Sequence, residues 1–175
     1  MIVVRPAQKS DANSVNYVRA QSWIATYTSP EHGITKAQIK NIPWIIRALS
    51  GQELALVTNI IDIVTEDTQC FVAIDSDTEK VVGMAWPHRD EETHKARVGS
   101  IYILPEYIGQ SIGRKLLKEV FEFWGNQDIY LTAVTYNTHA RNFYEKQGFV
   151  YTGLTEIHEK HGVSLPVVEM VHKSN

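Results

Sequence analysis

The residues best suited to chemistry lie between 97 and 124. Arg97-Val98-Gly99-Ser100-Ile101-Tyr102-Ile103-Leu104 reads as a β-strand, and Tyr107-Ile108-Gly109-Gln110-Ser111-Ile112-Gly113 is a glycine-bearing turn. An amphipathic helix then begins at Ile112 and carries Ile112, Leu116, Leu117, Val120, Phe121 and Trp124 on one face. A strand that feeds a glycine turn into a helix gathers unpaired backbone N–H groups around one point. The helix dipole adds positive potential there. Such a place suits phosphate or pyrophosphate. Gly109 and Gly113 permit close backbone approach, and Arg114 and Lys115 offer charge nearby. No Gly-x-x-x-x-Gly-Lys-Ser/Thr and no Gly-x-Gly-x-x-Gly occurs, so the phosphate loops of P-loop nucleotidases and dinucleotide folds are excluded. A tight strand-to-helix turn without a ligand would look the same, so the glycines alone leave both readings open.

Other reactive side chains carry less. Cys70 sits in a β-type run and reads as a small core residue rather than a nucleophile. His158-x-x-His161 lacks a carboxylate or third ligand at metal-binding spacing, and a polar loop between the last two strands explains it better. No metal is expected.

The surrounding elements follow from periodicity and punctuation. Ile2–Arg5 is a short strand closed by Pro6, and Ser10-Asp11 offers an N-cap for a helix from Ala12 to about Tyr27. Thr35-Lys36-Ala37-Gln38 is a capping box whose helix cannot pass Pro43 undisturbed. Leu54, Val57, Ile61 and Val64 predict a further helix. Residues 70–74 and 81–86 form a hairpin across Asp75–Glu79, and Pro87–Lys95 reads as a polar loop. Ile129–Val134 is a strand, Asn137 caps a helix that Gly148 closes, and 149–155 with 166–171 make a last strand pair. A mixed sheet flanked by helices accommodates this order.

Length and composition set the frame. The 175 residues make one domain, 1–175, with a core large enough to need no disulfide. Apolar residues are 43%, yet no run approaches the ~18–20 needed to span a membrane. The first residues do not resemble a signal peptide, and one cysteine fits a reducing, cytoplasmic setting. Seventeen Lys and Arg against 20 Asp and Glu give a net charge of -3 with no basic patch. That excludes a general nucleic-acid binder and leans weakly toward a cationic small partner.

Two longer patterns carry a resemblance. Asn137-x-x-Ala140-x-x-Phe143-Tyr144-x-x-x-Gly148-Phe149 resembles the second signature of the GNAT superfamily of N-acetyltransferases, and Tyr102 through Leu117 resembles the first. Ile2-x-x-Arg5-Pro6-Ala7 with Asp11, and Val82-Gly83, are similar to other parts of that family, so the resemblance spans nearly the whole chain. Two departures stand out. Ile108 takes the usual Arg or Gln place and Ser111 the first Gly place of the family's loop. A positive φ at Ser111 would cost ~1 kcal/mol or more, whereas a negative φ would free its hydroxyl to donate to a phosphate.

The resemblance implies an α/β fold with a central mixed sheet of about seven strands, whose two central strands, 98–104 and 129–134, splay apart. It implies acetyl-coenzyme A as co-substrate. The backbone of Ile101, Tyr102 and Ile103 would pair with the pantetheine arm. Ile108, Gly109, Gln110, Ser111, Ile112, Gly113 and Arg114 would hold the pyrophosphate, and Asn137 would reach the pantetheine. Tyr144 would be the general acid for the leaving thiolate. The implied reaction is acetyl transfer to a primary amine of a small molecule (a polyamine, amino sugar or amino-acid derivative) by direct attack. The early-strand Glu that many relatives use as base is Arg97 here. Glu91, Glu92 and His94, or Glu31, His32 and Tyr27, stand in as candidates, and Trp23, Tyr27 and Trp44 either line the acceptor site or pack helices. A non-catalytic acyl-coenzyme A sensor or an interaction module of the same fold is the alternative, and a homodimer is compatible with either.

Overall fold

A computed structural model describes residues 1–52 and 55–174, with side chains described for all of these except residues 55 and 56. Seven strands form one sheet: β1 (Ile2–Pro6), β2 (Phe71–Asp75), β3 (Lys80–Arg89), β4 (Ala96–Ile103), β5 (Ile129–Val134), β6 (Val150–Lys160) and β7 (Val163–His172). Helices are α1 (Ala12–Tyr27), α2 (Lys36–Lys40), α3 (Pro43–Leu49), α4 (Ala55–Asp62), α5 (Ile112–Trp124) and α6 (Thr138–Lys146). The strand order is β1-β2-β3-β4-β5-β7-β6, and only β4–β5 is parallel.

Local chemistry accounts for most boundaries. The Thr35 capping box forms: Gln38 N–H donates to Thr35 Oγ1 at 3.2 Å, and Thr35 N–H donates to Gln38 Oε1 at 2.7 Å. Pro43 then opens α3, where its missing N–H costs no helix bond. In α4, Val57 and Ile61 are buried, but Val64 lies past the helix end and is exposed; Leu54 falls outside the described residues. Asp11 does not cap α1 as expected. Its carboxylate turns back to accept from Arg5 at 2.7 Å and from Gln8 N–H at 2.8 Å, tying β1 to the start of the helix.

Two expected loops are shorter than the sequence suggests. β3 runs on to Arg89, because His88 and Arg89 pair with Arg97 and Ala96. β6 and β7 extend past the expected polar loop to a two-residue turn at His161-Gly162, with φ of 53° and 77°. Two positive φ values match the type I′ geometry whose twist suits a hairpin. His158 is therefore a strand residue beside Glu156, and His161 a turn residue.

Two apolar clusters hold the layers. The larger joins α1, α4 and α5 to the sheet through Val15, Val18, Met84, Leu116, Val120 and Phe149. The second gathers Trp23, Ile39, Ile45, Val134, Leu165 and Val167, and fixes the far end of α1 against α2, α3 and β7. Cys70 is buried, and burial pushes its thiol up to about 12, which leaves it protonated and unreactive. No helix among the described residues is long and apolar enough to cross a membrane.

One irregularity shapes the centre. Trp86 on β3 faces both Gly99 and Ser100 on β4, a β-bulge with Gly99 at φ 68°. An extra residue on one strand bends it. β4 and β5 pair only at Ala96–Ile129 and Arg97–Tyr130, immediately before the bulge. β5 stays paired with β7 along its whole length, so β4 is the strand that leaves. A Cβ on residue 99 would meet the Trp86 carbonyl oxygen and the His88 ring. Gly99→Ala is therefore expected to lose about 2 kcal/mol or more of unfolding free energy in urea. Gly33→Ala, also at positive φ but with no neighbour within 4 Å, should lose about 1 kcal/mol.

Candidate functional site

The bulge opens a gap of about 90 Å³ between β4 and β5 that leads into a cleft of about 480 Å³ between α5, α6 and α1. The ladder decides which backbone faces it. Leu104 N–H donates to Val82 O at 2.9 Å. By the alternation of an antiparallel pair, Tyr102 also directs its polar groups at β3. Ile101 and Ile103 then direct theirs into the gap. Ser22 Oγ, which no sequence signal singled out, donates to Ile103 O at 3.0 Å. Tyr102 contributes its side chain rather than its backbone: its hydroxyl accepts from Trp23 Nε1 at 3.0 Å and lies 3.3 Å from the Tyr27 hydroxyl.

At the mouth of the cleft, the backbone N–H groups of residues 109–114 have no acceptor among the described residues; the first helical bond is Lys115 N–H to Ser111 O. Gly109 has φ 89° and Ser111 φ 61°. Left-handed residues set among right-handed ones turn successive N–H groups toward one side and make a concave anion site. Ser111 thus takes the strained alternative of the two considered from sequence. Its side chain does not cap the helix. Gly113 matters for contact, since a Cβ there would lie 3.2 Å from Phe143 Cζ on α6. Ile108, Gly109, Ser111, Ile112, Gly113 and Arg114 line the cleft. Gln110 does not: its amide folds back to Glu106 O at 3.4 Å. Lys115 is also directed elsewhere, to Ile2 O at 2.8 Å.

Asn137 lines both gap and cleft, and its Oδ1 accepts from Ala140 N–H at 3.0 Å, which starts α6. Tyr144 follows two turns later and also lines both. Its ring meets Phe143 and Phe149 edge-on, and its hydroxyl has no partner among the described residues. Burial, then the neighbouring Tyr102, raises the Tyr144 pKa above the usual phenol value, and burial raises that of Tyr27 as well. Both are therefore protonated donors at neutral pH.

Among the described residues lining gap and cleft there is no Asp or Glu. Glu91, Glu92 and His94 are exposed on the turn after β3. Glu31 is exposed, and His32 packs on Tyr136 at 4.6 Å and bonds Ser29. Arg97, where a Glu would stand, is 3.5 Å from Glu169, and both oxygens of that carboxylate accept from Lys95 Nζ at 3.0 Å. Trp23 and Trp44 pack together at 5.5 Å, and neither lines the gap or the cleft.

The strain at Ser111 gives a direct check on the cradle. Ser111→Gly should raise the thermal midpoint, through a gain of about 0.5–1 kcal/mol, while acetyl-coenzyme A still binds, measured by calorimetry. Weakened binding would instead assign the hydroxyl a ligand contact.

Residues 66–151 match the family model of the acetyltransferase (GNAT) domain. A search of curated protein sequences finds no significant match. Solved structures share the fold at low identity. A GCN5-related N-acetyltransferase from Rhodopseudomonas palustris aligns with a TM-score of 0.70 and 18% identity over 99% of this chain and 95% of that one. The PaiA N-acetyltransferase from Thermoplasma acidophilum, solved in complex with coenzyme A, aligns at 0.61 and 21% identity over 100% and 99%. Nourseothricin acetyltransferase aligns at 0.54 and 22% over 62% of this chain and 66% of its own. The matched segment contains both splayed strands, the N–H cradle and Tyr144, and residues 66–151 are thus the part of this protein that is similar to a GNAT acetyltransferase domain.

Proposed function

We propose that residues 1–175 act as one N-acetyltransferase domain that moves the acetyl group of acetyl-coenzyme A to a primary amine of a small molecule. The observation that carries this is the pairing of a helix-end N–H cradle with a strand edge opened by a bulge. The N–H groups of 109–114 suit a pyrophosphate, and Arg114 adds charge at the rim. The free backbone of Ile101 and Ile103 suits the amides of a pantetheine arm, as an added strand suits a sheet edge. The uncommitted amide nitrogen of Asn137 supports the same arm. Acetyl-coenzyme A supplies the acyl group as a thioester.

The residues at the gap divide the proton work. The amine nitrogen attacks the carbonyl carbon, the C–S bond breaks, and Tyr144 donates its phenolic proton to the departing sulfur. The resulting tyrosinate recovers a proton from the nitrogen, so the products are an amide and a free thiol. An acceptor with an amine pKa near 10 is mostly protonated at pH 7, and freeing it costs ~4 kcal/mol. With no carboxylate lining the gap among the described residues, that proton leaves along the hydroxyls of Tyr27 and Tyr102 to solvent.

Tyr144→Phe keeps the ring packing and removes the donor. Turnover should fall about a hundredfold or more, with the KM for acetyl-coenzyme A little changed, in a thiol-release assay. Unchanged turnover would remove Tyr144 as the acid. The pH profile follows from the same groups. kcat/KM should rise about tenfold per pH unit below the acceptor's own pKa. Because the folded state raises the Tyr144 pKa, the acid stays protonated through pH ~10 and no alkaline decline is expected below it. A decline between pH 8 and 9 would point to a different acid.

A further inference from the structure

The side of the sheet that α1 covers carries a charge pattern that acetyl transfer itself does not use. Arg19 lies one turn before Trp23 on α1. Its guanidinium sits 4.9 Å above the Trp44 ring, and its hydrogen bond goes to Asn16 Oδ1 at 3.4 Å. It has no carboxylate partner among the described residues. Burial lowers its pKa from the usual guanidinium value, so its charge is poorly hydrated.

The β6–β7 turn packs beside these residues. The His161 ring lies 5.5 Å from Trp23 and 6.0 Å from Trp44, which joins this turn to α1 and α3. Lys160 precedes it and pairs in register with Val163, on the face of the hairpin that packs toward α1. Lys160 makes no ion pair among the described residues. Burial and then the Arg97 charge lower its pKa, and its own charge acts on both His88 and His161. Lys160 is exposed at the end of β6, near enough to Arg97 for the two charges to repel.

Below it, Lys95 and Arg97 share the single carboxylate of Glu169, which is 5% exposed. His88 stands opposite Arg97, with Nδ1 buried and unpartnered, and burial lowers its pKa so that it is neutral at pH 7. Two other carboxylates near these residues are engaged. Asp90 accepts from Thr93 N–H and Oγ1, and Glu156 pairs with His158. Lys95 and Arg97 thus share one carboxylate, and Arg19 and Lys160 have none among the described residues. Partly desolvated cations that outnumber their counter-ions repel one another and any cationic ligand, and an anion placed among them relieves both costs.

We propose that the acceptor is a small amine that also bears an oxyanion, as in an amino acid or an aminoalkyl phosphorus acid. Arg19 and Lys160 receive the oxyanion, and the amine then points into the gap beside Gly99 and Tyr144. This rests on the acetyl-transfer reading and narrows its acceptor; polyamines are the class it disfavours.

The test uses the full chain and matched acceptors. Common amino acids are compared with their amides, 2-aminoethylphosphonate with ethanolamine, and spermidine alone, by thiol release with acetyl-coenzyme A. At least one acid should exceed its uncharged partner about tenfold or more in kcat/KM, with spermidine poorest. Arg19→Gln and Lys160→Gln should each raise KM for that acid about tenfold at constant KM for acetyl-coenzyme A. Arg19→Lys should restore part of the loss, which a purely structural role would not allow. Equal or better turnover of the amides or of spermidine overturns the proposal. Calorimetry of the same pairs against the coenzyme A-bound protein separates the two readings. Acids binding more tightly than amides without any transfer would uphold the anionic subsite and overturn the acetyl-transfer reading. Amides binding as well as acids would overturn the subsite.

Discussion

The bulge at Gly99 is the feature on which the rest of the site depends. A regular parallel pair between β4 and β5 would satisfy the backbone of both strands and leave no room for a ligand. Instead Trp86 faces two residues of β4, and the strand bends away directly after Arg97. The cost is a set of backbone groups on Ile101 and Ile103 without a strand partner. Ser22 takes up one of them. The remainder are what an extended ligand would need. Glycine is required because the bent conformation has positive φ and because the Trp86 carbonyl and the His88 ring occupy the space of any Cβ.

The second strained point, Ser111, belongs to the same arrangement. The bend of β4 delivers the chain to the N-terminus of α5, where residues 109–114 turn their N–H groups outward. A left-handed Ser is tolerated because α5 is anchored strongly elsewhere: Ile112, Leu116, Leu117, Val120 and Trp124 are all buried. Strand edge, donor cradle and Tyr144 then meet around one connected space. Three elements far apart in sequence supply them, and the apolar contacts of Phe143, Phe149 and Phe121 hold α6 and α5 in place around it.

Electrostatics are local here, and the net charge does not describe the surroundings of β4. A net charge of -3 leaned toward a cationic partner. The acidic residues, however, lie mostly on the exterior, in turns such as 75–79 and 90–92. Beside β4, by contrast, Lys95 and Arg97 share the one carboxylate of Glu169, and the charge of Lys160 is felt at Arg97. At close range in a partly dry groove, these positions outweigh a distant, screened surface excess.

Much of this was legible in the sequence. The helix and strand order, the capping box at Thr35 and the cap at Asn137 follow from local side-chain chemistry, which acts within a few residues. The glycine turn and the two GNAT-like signatures marked the stretch that becomes the N–H cradle, because backbone conformation there depends on residue type at each position. A lone glycine inside strand 97–104 is also a readable sign of a bulge. Other features depend on contacts across the chain. Asp11 turned from its cap to Arg5, Ser22 met Ile103, and Tyr102 aimed its backbone at β3 through the register. The pairing of Arg97 with Glu169 and the approach of Lys160 join residues more than sixty positions apart. Sequence by itself determined the elements and the donor-rich turn, since both are local in origin. Only the tertiary structure decided where β4 leaves β5 and which charges gather beside it, because register, twist and burial are properties of the assembled sheet.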